Sequence, residues 1–374
     1  MRIMIVVTHL LGTGHLARAL TLGRAFGHAG HDVHVVSGGA PVPHFDTAGL
    51  TLTQLPPLRS DGVDFARLLH PDGRAASADD LAQRTAALLH HLHNVRPDVL
   101  ITELFPFGRR IMRDEFGALL HAAREVCPLI LASVRDILAP PSKPSKAAFA
   151  DDMVAHFYDG VLVHADAEVV TLDASWPVSA DLAPKLRYTG FVAPSAPNPV
   201  SEPRNDTVLV SAGGGSVGAA IFDTALAAAR LHTHTTWHLL VGGSPERRAN
   251  LRAAATENVI VEAPRPDFRT LLSRAAASVS MCGYNTALDL LQTGVPAVMV
   301  PFDDGGEVEQ MLRAKALAAL PAMWVLPQAD LTPERLCAAL NSVTGRTRTP
   351  RRDGMNGAAE TVRMVEAMVA EATV

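Results

Sequence analysis

The chain has 374 residues, which exceeds one ordinary globular core and indicates two domains of roughly 150 to 200 residues each. Its formal net charge is −5, with the basic residues scattered along the chain, and this balance argues against nucleic acid as a partner. The three cysteines, Cys127, Cys282 and Cys337, have no CxxC spacing, which argues against a zinc site or a disulfide framework and fits a cytoplasmic location.

The first half of the chain alternates short apolar runs with segments of helical periodicity. This alternation is typical of parallel strands covered by helices. The run Met1 to Thr8 is too short to span a membrane and is followed at once by a glycine turn, so we expect a buried strand. A peripheral contact with a membrane surface stays open. The predicted strands of this half are 2–8, 32–37, 98–102, 128–133 and 160–164.

A proline-rich stretch divides the chain. Residues 194–206 contain four prolines among small polar residues and are predicted as a linker between a domain at 1–193 and a second at 207–345. The tail 346–374 ends in an amphipathic helix that we expect to pack back on the first domain. The fold class is therefore α/β, with two Rossmann-like, doubly wound domains facing across a cleft. The predicted strands of the second domain are 207–212, 237–242, 258–262, 278–281, 296–301 and 323–326.

The loop after the first strand carries a candidate base. Gly12, Thr13 and Gly14 form a turn directly before a helix that starts near His15, and such a helix start attracts phosphate or a developing anion. An imidazole there can take a proton from an attacking hydroxyl near neutral pH. An ordinary tight turn with a surface histidine is the competing explanation.

A second glycine-rich loop opens the second domain. Residues 211–220, SAGGGSVGAA, again join a strand to a helix and depart from GxGxxG, which weakens a dinucleotide interpretation. We expect this loop to bind the diphosphate of a donor through Gly213, Gly214, Gly215 and Ser216.

Residues 278–317 are the most specific segment. A strand, a glycine turn, a helix, Gly-Val-Pro, a strand and an acidic helix start follow one another, and this order resembles the donor-binding region of GT-B glycosyltransferases. It is similar in particular to the family containing the lipid-linked N-acetylglucosamine transferase of peptidoglycan synthesis. The resemblance implies that Asp289, six residues after the turn glycine, holds the ribose hydroxyls in place of the family's usual glutamate.

The same resemblance implies further donor contacts. Arg265 and Phe268 follow the strand 258–262, where related transferases hold the nucleobase. Helix capping is the competing role for Glu309. The residues implied to contact donor sugar or phosphate are Gly283, Tyr284, Asn285, Thr286, Glu309 and Gln310.

Nearly the whole chain also resembles a bacterial group of predicted glycosyltransferases. The stretches that carry this resemblance include GTGHLARAL, TELFPFGRR (102–110), SVRDIL (133–138), DGVLVHAD (159–166), RYTGFV (187–192), SAGGGSVG, CGYNT and EVEQMLRA (307–314).

Several of these stretches place charged residues after strands of the first domain. Glu103 could orient His15 and stabilise its imidazolium form, or be a solvated loop residue. Arg109 and Arg110 could clamp an acceptor phosphate or carboxylate, or form a solvated face. Arg135 belongs to the same acceptor side, unless it forms an internal salt bridge with Asp136.

The leading hypothesis is a metal-independent, inverting glycosyltransferase that moves a sugar from a nucleotide diphosphate sugar, with UDP as the favoured nucleotide, to an unknown hydroxyl acceptor. No cofactor or metal is expected, because Asp303 and Asp304 are adjacent and form no DxD pair. A nucleotide-sugar hydrolase is an alternative, because known hydrolases share a GxGHxxR loop like Gly12 to Arg18. A non-catalytic nucleotide-sugar binding protein is the third hypothesis.

Overall fold

The structure, a computed structural model, describes residues 1–10, 13–43, 45–60, 67–197, 204–212, 218–303 and 307–372. The chain divides into two compact units: unit 1 comprises Met1–Pro194 and Gly354–Val374, and unit 2 comprises Ser195–Asp353. The chain thus leaves unit 1 at the start of the proline-rich stretch and rejoins it at Gly354, whereas the sequence placed the start of the tail at residue 346.

In its described residues, unit 1 contains a sheet of seven parallel strands in the order β3-β2-β1-β4-β5-β6-β7. Valine, isoleucine and leucine fill the central strands, which are buried on both faces as parallel strands covered by helices must be. The strands are β1 Arg2–Val7, β2 Asp32–Ser37, β3 Thr51–Gln54, β4 Val99–Glu103, β5 Leu129–Arg135, β6 Gly160–His164 and β7 Leu186–Tyr188.

The described part of unit 2 contains six parallel strands in the order β10-β9-β8-β11-β12-β13. Together, the two sheets confirm the predicted α/β class with two doubly wound domains. The strands are β8 Thr207–Ser211, β9 Thr236–Leu240, β10 Val259–Glu262, β11 Ala277–Ser280, β12 Ala297–Met299 and β13 Met323–Val325.

In the described part of the chain, α-helices connect most successive strands, whereas β2 and β3 are joined without one and β6 and β7 only by short 3-10 helices. Among the described residues the α-helices are α1 Gly14–His28, α2 Ala78–Val95, α3 Arg113–Val126, α4 Pro144–Phe157, α5 Ala219–Leu231, α6 Pro245–Ala254, α7 Phe268–Arg274, α8 Tyr284–Thr293, α9 Glu309–Leu317, α10 Pro333–Val343 and α11 Gly357–Ala372.

The last helix belongs to unit 1. Val362 and Val365 of α11 are buried in the same apolar cluster as Leu16 and Leu20 of α1. Burying such side chains contributes about 1.5 to 3 kcal/mol each, so α11 helps to hold α1 against the sheet. The helix that carries His15 in its first turn is therefore packed against α11.

The sequence analysis did not predict two of the strands, β3 and β7. β3 and β7 have only four and three residues, and their side chains are half-buried or exposed. Both lie at the edges of the unit 1 sheet. Neither therefore shows the continuous apolar run that marks a buried parallel strand.

The strand order reverses between β1 and β4 in unit 1 and between β8 and β11 in unit 2. At such a point the loops after the two neighbouring strands turn to opposite faces of the sheet and leave a crevice beyond the carboxyl ends. His15 follows β1 and Glu103 ends β4, so both predicted catalytic residues lie at the strand-order reversal of unit 1.

Candidate active site

The start of α1 is open at Gly14. Thr13 is the residue before the helix, and Gly14 and His15 are its first two residues. A Cβ atom added to Gly14 would meet no described atom within 4 Å. The first N–H groups of a helix have no partner within the helix and carry the positive end of its dipole, so an anion can approach here. Gly12 lies outside the described residues.

His15 and Glu103 contact each other directly. Nδ1 of His15 lies 2.9 Å from Oε1 of Glu103, with side chains that are 15% and 2% exposed. The contact arises because β1 and β4 are hydrogen-bonded neighbours, with Val6 opposite Thr102. The structure therefore brings together the two residues that the sequence predicted as catalytic.

Arg18 is a third member of this cluster, which the sequence analysis named only as the last residue of the GxGHxxR loop and gave no role. It lies three residues after His15 on the same face of α1, and its Nη2 donates a hydrogen bond to Oε1 of Glu103. Its side chain is buried although it carries a charge. An arginine on an otherwise apolar helix face, at helical spacing from a candidate base, was the available signal.

Ser133, His164 and Thr189 extend the cluster away from His15. Ser133 Oγ donates to Oε2 of Glu103 at 2.7 Å and lies 3.0 Å from Nε2 of His164. Nδ1 of His164 lies 2.9 Å from Oγ1 of Thr189. The sequence offered one sign of them, namely polar residues at the carboxyl ends of apolar strands.

The environment keeps His15 neutral and Glu103 ionised at neutral pH. Burial lowers the pKa of His15 to about 4, assisted by Arg18 and Arg109 and opposed by Glu103. Burial alone would raise the pKa of Glu103, but Arg18, His15 and Ser133 together hold it well below its ordinary value. Nη2 of Arg18 also lies 3.3 Å from Nδ1 of His15, but the Glu103 carboxylate is closer, at 2.9 Å. An ionised carboxylate only accepts hydrogen bonds, so the proton of His15 belongs on Nδ1 and the lone pair on Nε2.

The three arginines predicted for the acceptor side lie in the same unit, each held by a backbone carbonyl. Arg109 has left-handed backbone geometry, with φ of 58°, and its Nε donates to the carbonyl of Thr8 at 2.6 Å. Burial lowers its pKa to about 10. Arg110 donates to Phe107 at 2.8 Å, and Arg135 to Ile137 at 3.1 Å. These bonds orient the guanidinium groups at the ends of the strands.

In unit 2, the predicted phosphate loop is only partly described. Gly213, Gly214, Gly215 and Ser216 lie outside the described residues. The described Gly218 precedes α5 with φ of 81°, and a Cβ atom on it would lie 2.3 Å from Cβ of Ala212. Only glycine fits this position, because both the backbone angle and the space exclude a side chain.

The second predicted donor loop surrounds the start of α8. Gly283 is the residue before the helix, and a Cβ atom on it would meet no described atom within 4 Å. Asn285 is exposed and Thr286 half-buried, whereas Tyr284 is buried with Arg313 over its ring at 5.9 Å. The helix start therefore combines the free N–H groups of its first turn with two polar side chains, those of Asn285 and Thr286.

Gln310 and Glu309 differ in their surroundings. Oε1 of Gln310 accepts from the backbone N–H groups of Cys282 at 3.0 Å and Phe302 at 3.2 Å, which ties together the loops after β11 and β12. The carboxylate that caps α9 is that of Glu307, which accepts from the backbone N–H of Glu309 at 2.8 Å. The competing capping role that the sequence analysis considered for Glu309 therefore belongs to Glu307.

The predicted nucleoside residues already have protein partners. Oδ1 of Asp289 lies 2.8 Å from Nε of Arg269, and burial raises the pKa of Asp289 to about 6 although Arg269 lowers it. Arg265 makes two 2.8 Å bonds to Asp267. Phe268 begins α7 and is half-buried. Arg269, which also donates to Gln292, was not selected from the sequence.

Within the described ranges, the side chains of His, Cys, Asp and Glu form no group of three or more that could hold a metal ion.

Comparison with known proteins shows what the chain resembles. The glycosyltransferase family 28 C-terminal domain matches residues 207–365, from β8 into α11. The solved structure of Acinetobacter baumannii MurG aligns with a TM-score of 0.62 at 16% identity and covers 100% of this chain and 99% of its own. The chain thus has the GT-B glycosyltransferase fold and, over its second half, resembles glycosyltransferase family 28. This result confirms the resemblance inferred from residues 278–317.

Two further proteins are similar to this GT-B chain. It is 32% identical over 200 residues to the UDP-N-acetylglucosamine–N-acetylmuramyl-(pentapeptide) pyrophosphoryl-undecaprenol N-acetylglucosamine transferase of Methylobacterium radiotolerans, covering 49% of this chain and 53% of the relative. Glycosyltransferase VinC, solved in complex with dTDP, shares the fold with a TM-score of 0.61 at 18% identity and covers 100% of this chain and 99% of its own. The GT-B chain spans about a third to a half of the length of the curated relatives it matches.

Among the helices in the described part of this GT-B chain, none combines the length and the apolar character needed to cross a membrane.

Proposed function

We propose that this chain is a metal-independent, inverting glycosyltransferase that moves a sugar from a UDP-sugar to a hydroxyl group of an acceptor. The observation that carries the proposal is the 2.9 Å contact between His15 Nδ1 and Glu103 Oε1 at the strand-order reversal of unit 1. It leaves Nε2 of a neutral His15 as the base atom.

In the proposed reaction, the acceptor hydroxyl loses its proton to Nε2 of His15 as its oxygen attacks the anomeric carbon. The bond from that carbon to the diphosphate oxygen breaks, and the nucleoside diphosphate leaves. Attack opposite the leaving group inverts the anomeric configuration. Glu103 stabilises the imidazolium that forms, because its charge lies against Nδ1.

Unit 2 is proposed to hold the donor. The family 28 C-terminal domain spans this unit, and the start of α8 offers N–H groups and the positive end of a helix dipole to a diphosphate. Gly283, Asn285 and Thr286 are the described residues at this helix start. The same donors favour the leaving group as its charge develops, which is the task a metal performs in other transferases.

Arg109, Arg110 and Arg135 are proposed to bind an acidic group of the acceptor. Each donates to a backbone carbonyl, which orients its guanidinium group in unit 1. An oriented guanidinium matches a phosphate or carboxylate by paired hydrogen bonds.

UDP is proposed as the nucleotide because the curated relative from Methylobacterium radiotolerans is named as a UDP-N-acetylglucosamine-dependent transferase. The dTDP complex of the structural neighbour VinC makes thymidine diphosphate the natural comparison. Calorimetry with UDP and dTDP would separate the two, and we expect UDP to bind more tightly. A hundredfold excess of ligand over Kd would also stabilise the folded chain by about 2.7 kcal/mol.

Turnover tests the reaction class. The purified chain is incubated with UDP-N-acetylglucosamine, UDP-glucose or dTDP-glucose, with and without a panel of hydroxyl acceptors, and with and without EDTA. We expect nucleotide release that depends on an acceptor, is unaffected by EDTA, and yields a product with inverted configuration by NMR.

Other outcomes would contradict the proposal. Fast release of free sugar without an acceptor would identify a nucleotide-sugar hydrolase instead. Nucleotide binding without turnover of any donor would support a binding protein. Loss of activity with EDTA, restored by Mg²⁺, would contradict metal independence.

A further inference from the structure

A continuous row of buried, hydrogen-bonded polar side chains crosses four strands of the unit 1 sheet near their carboxyl ends. Glu103 and Ser133 are paired across β4 and β5, His164 ends β6, and Thr189 follows β7. The residues Ser133, His164 and Thr189 are 1%, 0% and 2% exposed, so no ligand can touch them directly. A fully buried imidazole is costly unless its nitrogen atoms are hydrogen-bonded.

The directions of the hydrogen bonds in this row follow from the negative charge of Glu103. Because Glu103 is ionised and can only accept, the single hydroxyl hydrogen of Ser133 points to Oε2. The Ser133 oxygen must then accept from Nε2–H of His164. Burial lowers the pKa of His164 to about 3, so its ring is neutral and Nδ1 accepts from Thr189. Every hydrogen bond in this row is thus donated in the direction of Glu103.

This direction matters for the two oxygens of Glu103. Oε1 meets both Arg18 and His15, whereas Oε2 accepts from Ser133. The last torsion of a glutamate side chain is soft, so a carboxylate without a donor on Oε2 can rotate. Rotation would move Oε1 away from Nδ1 of His15.

We propose that Ser133 and His164 are positioning residues that hold the Glu103 carboxylate in place and thereby keep the proton of His15 on Nδ1. Neither residue contacts substrate. The functional consequence rests on the proposed base role of His15, but the positioning itself does not. It is a property of the folded chain that can be measured without any donor or acceptor.

The test uses two matched pairs of variants. Ser133→Ala removes the hydroxyl and Ser133→Thr keeps it. His164→Phe removes the donor, whereas the amide nitrogen of His164→Gln replaces Nε2–H. The readout is ¹⁵N NMR of histidine-labelled protein, in which His15 is assigned with His15→Asn and its tautomer is given by its ring nitrogen shifts. Melting temperatures establish that each variant is folded.

We expect a single Nδ1–H tautomer of His15 in the wild type, in Ser133→Thr and in His164→Gln. Ser133→Ala and His164→Phe should show a mixture of tautomers. If turnover has been established, kcat should fall roughly 10-fold in these two variants with donor affinity unchanged. If His164→Phe does not fold, Ser133→Ala alone tests the inference, because it removes only a hydroxyl group.

Two results would overturn the inference: an Nε2–H tautomer in the wild type, or an unchanged Nδ1–H tautomer in folded Ser133→Ala and His164→Phe. If no transferase activity is found and the tautomer responds as expected, the proposed function fails and the positioning role stands. If activity is found and the tautomer does not respond, the positioning role fails and the proposed function stands.

Discussion

Arg18 and Glu103 form an ion pair that is almost completely buried, with side chains that are 5% and 2% exposed. The pair lies beneath His15 and involves the same carboxylate oxygen that His15 contacts. Two opposite charges in a buried place stabilise each other only while both are present. The pair therefore couples the stability of unit 1 to the geometry of the proposed base.

Arg18→Met should lower the free energy of unfolding by about 3 to 5 kcal/mol, because it leaves the Glu103 charge buried without its main partner. Adding Glu103→Gln should recover part of the loss. Chemical denaturation measures both variants. Arg113→Met, which removes an exposed arginine, is the control and should stay within about 0.5 kcal/mol of the wild type. Additive losses in the double variant would show that the two charges do not interact.

His15→Ala should lower kcat by roughly two to four orders of magnitude, the usual contribution of a positioned base, while UDP affinity stays nearly unchanged. Steady-state kinetics and calorimetry on the same preparation separate the two effects. His28→Ala, at the exposed end of the same helix, is the matched control. Near-normal turnover with reduced melting temperature would assign His15 to packing instead.

The unfolding free energy should fall as the pH drops below neutrality. Burial lowers the pKa of His164 to about 3 from the ordinary 6.5, with Arg18 lowering it and Glu103 raising it. The unfolded chain therefore binds this proton first, and stability present above pH 6.5 is lost as the pH falls.

The slope from one such histidine is about 1.4 kcal/mol per pH unit. His164→Gln should reduce the slope of the unfolding free energy against pH by about this amount between pH 6 and 4, as measured by denaturation at each pH. His28→Gln, an exposed position, should leave the slope unchanged. Parallel curves for the wild type and His164→Gln would mean that His164 is not kept neutral by the fold.

Asp289→Ala should weaken UDP binding by about 1 to 3 kcal/mol if its carboxylate holds the ribose hydroxyls. Arg269→Met is the informative comparison, because it breaks the 2.8 Å ion pair and leaves the carboxylate in place. Calorimetry with UDP and melting temperature distinguish the roles. If both variants melt earlier but bind UDP as the wild type does, Asp289 serves the α7–α8 contact alone.

The amino-acid sequence by itself determined the α/β class, the two doubly wound sheets and the loops that carry glycine next to helix starts. These features are local: an apolar run predicts a buried strand, and glycine before a helical period predicts a turn. His15 could be selected for the same reason, since it lies directly at a predicted helix start. Short, half-exposed β3 and β7 were missed because they have no such local pattern.

Only the tertiary structure decided which polar residues act together. Glu103, Ser133 and His164 are about 30 residues apart in sequence and meet because their strands are neighbours in register. Arg18 belongs to the site because it is buried against Glu103. Asp289 forms an ion pair with Arg269 of another helix. Such contacts depend on the pairing of distant strands and helices, and no local spacing in the sequence records which of those elements become neighbours.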